Sequence, residues 1–441
     1  MKRVKGIPFP TENGRSEIED LPLPERIVLP LVTPFGEMIP IVSPGDEVQA
    51  GQLIAKGANK WDPPLLSSAA GQVSAVKFWP NGTGNEGPAL VIESPKQDSP
   101  FRREQPSQKD VHEIMRWVQA GDIREVDPSP IPLALRLRKP ELVPPAFAPF
   151  SPALEKPIHT LVLNGIDRQP GIWLRKAITK NFSSDILETI PLLKDVTGAS
   201  RVFFAFSKGA EPGEEFLKGL RELGVEPVSC PNVYPIGLNP LLIPFLTGQE
   251  IPFNSGGARQ FGIVVIDVAT ALKVHGTAHG EIPSVEVVIQ VTAPSAGIDT
   301  LVRVRQGTLI EDVLSALSIS KKDLAKVLCG GPFLGTALHR FDIPITQEID
   351  SIFLQTEREI IRYADEACVN CGYCVQHCPM KLMPNELSKN CEYGNFNVAE
   401  GMDIFSCIEC GICAYVCPVN RPMVQLICFG KREIEAARKE S

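Results

Sequence analysis

Apolar residues change their spacing several times along this chain, and each change predicts a different kind of structure. Up to about residue 100 they come in short β-branched runs between prolines and glycines, as in Pro44-Gly-Asp-Glu-Val-Gln-Ala-Gly-Gln-Leu-Ile54 and Ser67-Ser-Ala-Ala-Gly-Gln-Val73. Short strands follow, with Val48, Leu53 and Ile54 inside and the glycines supplying turns. Val111 to Ala120 is charged and amphipathic, and the proline-rich passage from Pro128 to Pro152 predicts an extended linker or wrapped loop. From Ile158 the runs Thr160–Leu163, Arg201–Phe206 and Ile263–Ile266 predict buried strands. Between them lie helical patterns such as Gly213 to Leu223, where apolar residues at 216, 217, 220 and 223 share one face. Strands alternating with helices predict a parallel sheet. From Val285 to about Leu354 the strands shorten around a single helix, Leu309 to Leu317. A last helix opens at Pro422, a residue suited to a first turn, and ends in the polar stretch Lys431 to Ser441.

Composition narrows the class. With 441 residues, 43% of them hydrophobic and 22% charged, the chain is an ordinary globular protein of several domains. A net charge of −8 argues against nucleic acid as a partner. Phe261-Gly-Ile-Val-Val-Ile-Asp267 is far short of the ~18 apolar residues of a bilayer span, so no transmembrane segment is predicted. Met1 to Pro8 carries early positive charge without an apolar core, so a signal peptide is not expected. The expected location is the cytoplasm, or the cytoplasmic face of the inner membrane, where another subunit would hold the chain.

The candidate chemistry is a repeat of eight cysteines. They read Cys368-x-x-Cys371-x-x-Cys374-x-x-x-Cys378-Pro379 and Cys407-x-x-Cys410-x-x-Cys413-x-x-x-Cys417-Pro418. Each run has the bacterial ferredoxin spacing, in which three thiolates hold one [4Fe–4S] cluster and the fourth ligates the other. Zinc prefers two well-separated ligand pairs, and a disulfide framework suits a small secreted domain. The crossed pattern assigns Cys368, Cys371, Cys374 and Cys417 to one cluster, and Cys378, Cys407, Cys410 and Cys413 to the other. The 28 residues between Cys378 and Cys407 predict an inserted helical excursion. Cys391, Cys428, Cys230 and Cys329 read as packed thiols. His377 could tune a cluster through a hydrogen bond to sulfur. His275 and His279 are four apart, but Gly276 and Gly280 disfavour a helix and no third ligand follows nearby, so a loop is expected there.

The first hundred residues resemble the barrel-sandwich fold of lipoyl and biotinyl carrier domains, although no lysine stands near Ala69-Ala70, where a carrier would need one. The cysteine region, with Cys378-Pro-Met-Lys-Leu-Met-Pro384, Cys407-Ile-Glu-Cys-Gly-Ile-Cys-Ala-Tyr-Val-Cys-Pro-Val-Asn420 and Gly330-Gly-Pro-Phe-Leu-Gly335, resembles the C component of the Rnf ferredoxin:NAD oxidoreductase complex. The resemblance runs over nearly the whole chain. It implies an α/β multidomain architecture: a barrel-sandwich (1–100), a linker and Rossmann-like domain of the complex I flavoprotein type (101–280), a β-grasp module (281–355) and a two-cluster ferredoxin domain (356–441). It also implies FMN and NADH chemistry, and here the chain departs from the pattern. The family's glycine-rich loop is replaced by Ala120-Gly-Asp-Ile-Arg-Glu-Val-Asp-Pro-Ser-Pro-Ile-Pro132, whose Asp122, Glu125 and Asp127 would repel phosphate. The family's Asn-Gly-Ala-Glu-Cys-Glu-Pro-Tyr becomes Asn164-Gly-Ile-Asp-Arg-Gln-Pro-Gly171, and its Tyr-Pro-x-Gly-Gly-Glu-Lys becomes Tyr234-Pro-Ile-Gly-Leu-Asn-Pro240. No flavin-binding or catalytic residue is therefore assigned, and FMN is not expected.

These readings converge on an iron–sulfur relay subunit, passing electrons between partner subunits of a larger, membrane-associated redox complex. Two alternatives stand beside it. One is an NADH dehydrogenase subunit holding FMN by non-standard contacts, with Arg168 and Arg175 on phosphate. The other is a purely structural assembly subunit, for which eight spaced cysteines would have no use.

Overall fold

The computed structural model describes residues 5–9, 17–33, 36–59, 61–82, 85–96, 111–125, 131–140, 156–255, 257–282, 284–361 and 367–440. Asp127 and the 128–130 and 141–152 parts of the proline-rich passage lie outside them.

Near the N-terminus two four-stranded sheets face each other. One contains Arg26–Pro30, Glu86–Lys96, Ala70–Pro80 and Glu47–Val48; the other contains Val32–Thr33, Gly36–Pro40, Leu53–Gly57 and Leu65–Leu66. Between them Ile27, Leu29, Ile54, Leu65, Val73, Leu90 and Ile92 form a closed core. This barrel-sandwich rests on the β-grasp module. The Val28 amide donates to the Gly307 carbonyl at 2.9 Å, and Gly307 sits at φ +88° against Val28, where a Cβ would clash. Ser68 Oγ donates to the Gln306 carbonyl at 2.5 Å, so the edge beside Ala69 is buried in an intramolecular contact.

The parallel sheet runs in the order Val225–Cys230, Arg201–Ser207, Thr160–Asn164, Ile263–Asp267. Its strands are apolar on both sides because helices cover both faces. Leu161, Leu163, Phe204 and Ile266 pack against Leu174–Asn181, Ser183–Thr197 and Val268–Ala278. Val162, Phe203, Ala205 and Val265 alternate to the other face, under Asn239–Thr247. The loop expected around His275 is a helix, Val268–Ala278, with His279 as its C-cap. Asp267 caps its start by accepting from the Thr270 amide at 2.7 Å, and Val268, Ala271 and Val274 are buried. The cap and the buried stripe outweigh the ~1 kcal/mol that an internal glycine costs.

The β-grasp sheet has six strands, with Glu286–Ala293 between the antiparallel Ile298–Arg305 and the parallel Ser351–Gln355. Its helix is Ile310–Ala316. One edge strand comes from far away: Ile18–Asp20 pairs in parallel with Leu301–Arg303. Ile7–Pro8 likewise pairs with Val233–Tyr234, so the N-terminal segment ties three modules together. Strands of two or three residues carry no period that a sequence could display.

Between the cysteine runs lie the helices Pro384–Glu392 and Phe396–Gly401, and the chain closes with Met423–Glu440. Cys391 is fully buried there, so close to Gly430 of the last helix that any Cβ at 430 would collide with its sulfur.

Candidate metal centre

The two cysteine runs share one backbone conformation, displaced by 39 residues. Asn370 (φ +52°) and Glu409 (φ +54°) precede the second cysteine of each run, and Gly372 (φ +76°) and Gly411 (φ +78°) follow it. A short helix comes next in each, Tyr373–His377 and Ile412–Tyr415, and left-handed Lys381 and Asn420 come after the fourth cysteine. The left-handed turn brings the flanking thiols back over one point before the helix presents the third.

The eight thiols gather around two cavities. Cys368, Cys371 and Cys374 line one together with Cys417, and Cys407, Cys410 and Cys413 line the other together with Cys378. The cavities are neighbours, since Cys374 of one and Cys413 of the other pack in the same small core with Met423. Their surroundings differ. In the first set Cys371 is exposed, Cys368 and Cys417 are half-buried and Cys374 is buried; in the second Cys407 is half-buried and Cys378, Cys410 and Cys413 are buried. Leu382, Leu387, Val424 and Ile427 complete the wall of the second cavity. Lys431 Nζ donates to the Cys407 carbonyl at 2.7 Å and pairs with Glu409 at 2.6 Å. Beside the first cavity Arg421 pairs with Glu392 at 2.5 Å. Four thiols around an apolar cavity suit a metal–sulfur core held by thiolate ligands. His377 Nδ1 meets the Tyr373 carbonyl at 2.9 Å, and the residue lines neither cavity.

The second cavity also abuts the parallel-sheet domain. Tyr234, fully buried, donates its hydroxyl to the Cys410 carbonyl at 2.7 Å. Phe333 packs on Tyr234 with ring centroids 5.1 Å apart, and Tyr415 packs on Phe333 at 5.4 Å. Gln169 clamps the Phe333 loop. It accepts from the Phe333 and Leu334 amides at 2.7 and 3.0 Å and donates to the Gly330 carbonyl. Gly331, at φ +90°, leaves room for the Gln169 side chain. Neither Tyr234 nor Gln169 carried a metal-site signal in the sequence, because both act through partners distant along the chain.

A second crevice opens at the C-terminal ends of the parallel strands, where ligands bind in sheets of this kind. It is lined by Asn164, Arg168, Arg175, Gly237, Val265 and Asp267, with Glu125 and Arg136. Arg175 Nη2 lies 3.0 Å from Asp267 Oδ2, and its Nη1 donates to the Ile166 carbonyl at 3.0 Å. Burial works to raise the Asp267 carboxyl, but Arg175 and the Thr270 amide overcome it and hold the group below the usual carboxylate range. Arg136 pairs with Glu125, and Arg124 with Asp122 at 2.6 Å. The acidic stretch expected to repel phosphate thus has its described carboxylates neutralised within the chain. Arg168 is an interdomain cation, 3.4 Å from Asp350 of the β-grasp module.

Three family models cover these regions: an RnfC barrel sandwich hybrid domain at residues 4–97, a Nuo51 FMN-binding domain at 145–276, and a 4Fe-4S dicluster domain at 360–419. The C component of the proton-translocating ferredoxin:NAD(+) oxidoreductase complex of Clostridium ljungdahlii is 28% identical over 88% of this chain and 84% of its own length. The chain is a relative of the RnfC proteins. The C component of the ion-translocating oxidoreductase complex of Rhodobacter capsulatus is 29% identical over 95% of this chain and 80% of its own. That of the Na(+)-translocating ferredoxin:NAD(+) oxidoreductase complex of Acetobacterium woodii is 26% identical over 95% and 93%. These matches bear out the barrel-sandwich, complex I flavoprotein-type and iron–sulfur dicluster domains expected from the sequence. The match at 145–276 keeps flavin in consideration for the parallel-sheet domain. Among the described residues no helix is long and apolar enough to cross a membrane.

Proposed function

We propose that this chain is an electron-relay subunit of a membrane-associated redox complex, carrying two [4Fe–4S] clusters and no flavin of its own. Cys368, Cys371, Cys374 and Cys417 hold one cluster, and Cys378, Cys407, Cys410 and Cys413 hold the other. The observation that carries this reading is the gathering of those eight thiols, four and four, around two adjoining cavities. Clusters so held supply one-electron exchange without moving a proton or breaking a bond. The chain's own residues set the conditions. Apolar side chains keep water from the second site, Lys431 and Arg421 stand beside the cavities each paired with a carboxylate, and Tyr234 fixes the backbone at Cys410. Partners are other subunits of the complex, one of them membrane-embedded, with this chain peripheral on the cytoplasmic face.

The residues of the sheet crevice do not fit FMN. A flavin phosphate needs free backbone amides or uncommitted cations. Here Arg175, Arg136 and Arg168 are each paired with a carboxylate. The segments matching the family's nucleotide contacts are engaged in joining domains, Gln169 to the Phe333 loop and Tyr234 to Cys410. The alternative, an NADH dehydrogenase subunit with FMN in non-standard contacts, is favoured by the FMN-binding family match. A cofactor inventory of the anaerobically purified chain separates the two. About eight irons with matching sulfide and no flavin supports the relay. One FMN per chain, with NADH reducing the clusters, overturns it.

A further inference from the structure

Away from the cysteines, the helix Val268–Ala278 packs beside the helix Ser183–Thr197 in the parallel-sheet domain. Residues four apart on a helix lie on one face, so His275 and its C-cap His279 point the same way, with ring centroids 4.2 Å apart. Glu188 reaches them from the neighbouring helix. Its Oε2 is 3.3 Å from His275 Nε2 and 3.9 Å from His279 Nε2. We propose that Glu188, His275 and His279 form a second kind of metal site in this protein, a surface site for a divalent transition ion such as Zn2+.

Three features support it. The donor atoms of the three residues all lie within 4.8 Å of one another. Bonds of about 2.0–2.1 Å at tetrahedral angles place neighbouring ligand atoms about 3.3–3.4 Å apart, so the present spacing closes onto an ion with small side-chain movements. For His279 the tautomer is also set, whereas His275 Nε2, 3.3 Å from the Glu188 carboxylate, donates to it and gives up that proton when an ion enters. His279 Nδ1 lies 3.0 Å from the His275 carbonyl, an acceptor only, so Nδ1 carries the proton and Nε2 keeps its lone pair. A ring nitrogen bonded to a backbone carbonyl while the other faces the donor cluster is the usual support of a metal-bound histidine. Two imidazoles and one carboxylate leave a fourth position open, and Glu188 and His279 are exposed, so water fills it. The ion would clip two helices of the parallel-sheet domain, independent of the clusters.

The test uses the anaerobically prepared holoprotein with its iron–sulfur clusters in place. After brief chelation to remove adventitious ions, Zn2+ is titrated calorimetrically and the loaded protein is examined at the zinc K-edge. The site predicts one micromolar or tighter equivalent with a nitrogen and oxygen shell. His279→Ala and Glu188→Gln each weaken it at least about tenfold while iron content per chain stays unchanged. Binding only in the millimolar range overturns the proposal. So does a sulfur-containing shell, which would mean zinc has displaced iron at the cysteines, or an affinity that the two variants leave unchanged.

Discussion

The cysteine cavities and the sheet crevice each gather ionisable side chains, yet the gatherings differ in kind. Around each cavity stand four groups of the same type, which can make no ion pairs with one another. In the crevice stand groups of opposite sign, and each carboxylate has found a guanidinium: Asp267 with Arg175 and Glu125 with Arg136. Like groups around a void suit a ligand of opposite character; opposite groups neutralise each other. The difference teaches that a fold's customary binding place is judged by whether its polar groups are already spoken for, more than by its position on the sheet.

The most damaging way to probe the comparison is to remove a thiol. Cys413→Ala should drop iron from about eight to about four per chain, with one cluster's electron paramagnetic resonance signal lost. The crossed assignment is sharper still. Cys378→Ala should perturb the same signal as Cys407→Ala, and Cys417→Ala the same signal as Cys368→Ala. Pairing of Cys378 with the Cys368 signal would break it.

Next in size is the crevice. Asp267→Asn leaves Arg175 buried without its counter-charge and weakens the cap of Val268–Ala278. It should cost about 3–5 kcal/mol in the parallel-sheet domain, followed by fluorescence of buried Trp173 during denaturant unfolding. Because the folded carboxyl is held low, its contribution is present above the ordinary carboxylate range and is lost as pH falls through the folded value. The gap between variant and parent should therefore narrow in acid. The variant should also gain no flavin. Flavin uptake would mean the ion pair was a gate and the crevice a working site.

How much of this was legible in the sequence follows the same division. The cysteine runs stand out in the sequence because their spacing is local, and the 39-residue echo of left-handed Asn370 and Glu409 falls inside it. The parallel strands were readable because burial on both faces writes an unbroken apolar run, as in Ile263–Asp267. The missed features depend on residues far apart. Ile18–Asp20 in the β-grasp sheet is too short to show a period. The helix carrying His275 was hidden by Gly276 within it and Gly280 just beyond, since the Asp267 cap and the helices around it outweigh local propensity. Glu188 joins the histidines only through helix packing, 87 residues away in sequence.

A smaller effect tests the join between the two regions. Tyr234→Phe keeps the ring packed on Phe333 and removes the hydrogen bond to the Cys410 carbonyl. Loss of one buried hydrogen bond should cost about 1–3 kcal/mol. On the relay reading it should leave both clusters assembled while speeding iron loss to a chelator from the Cys410 site alone. Equal loss from both sites would mean that the join serves the whole cluster domain.

The finest discrimination lies between the two cavities. Lys431 reaches the Cys407 carbonyl with its side chain almost wholly buried; Arg421 at the other cavity is just as buried, but Cys371 there is open to solvent. A buried cation stabilises the reduced, more negative state of a nearby cluster, whereas water screens the exposed one. Lys431→Met should therefore lower the midpoint potential of the cluster at Cys378, Cys407, Cys410 and Cys413 by on the order of tens of millivolts, because it leaves the Glu409 carboxylate there without its counter-charge. The other cluster should move much less in the same redox titration. Equal shifts would mean the two sites share one electrostatic environment, and the contrast drawn from burial would fail.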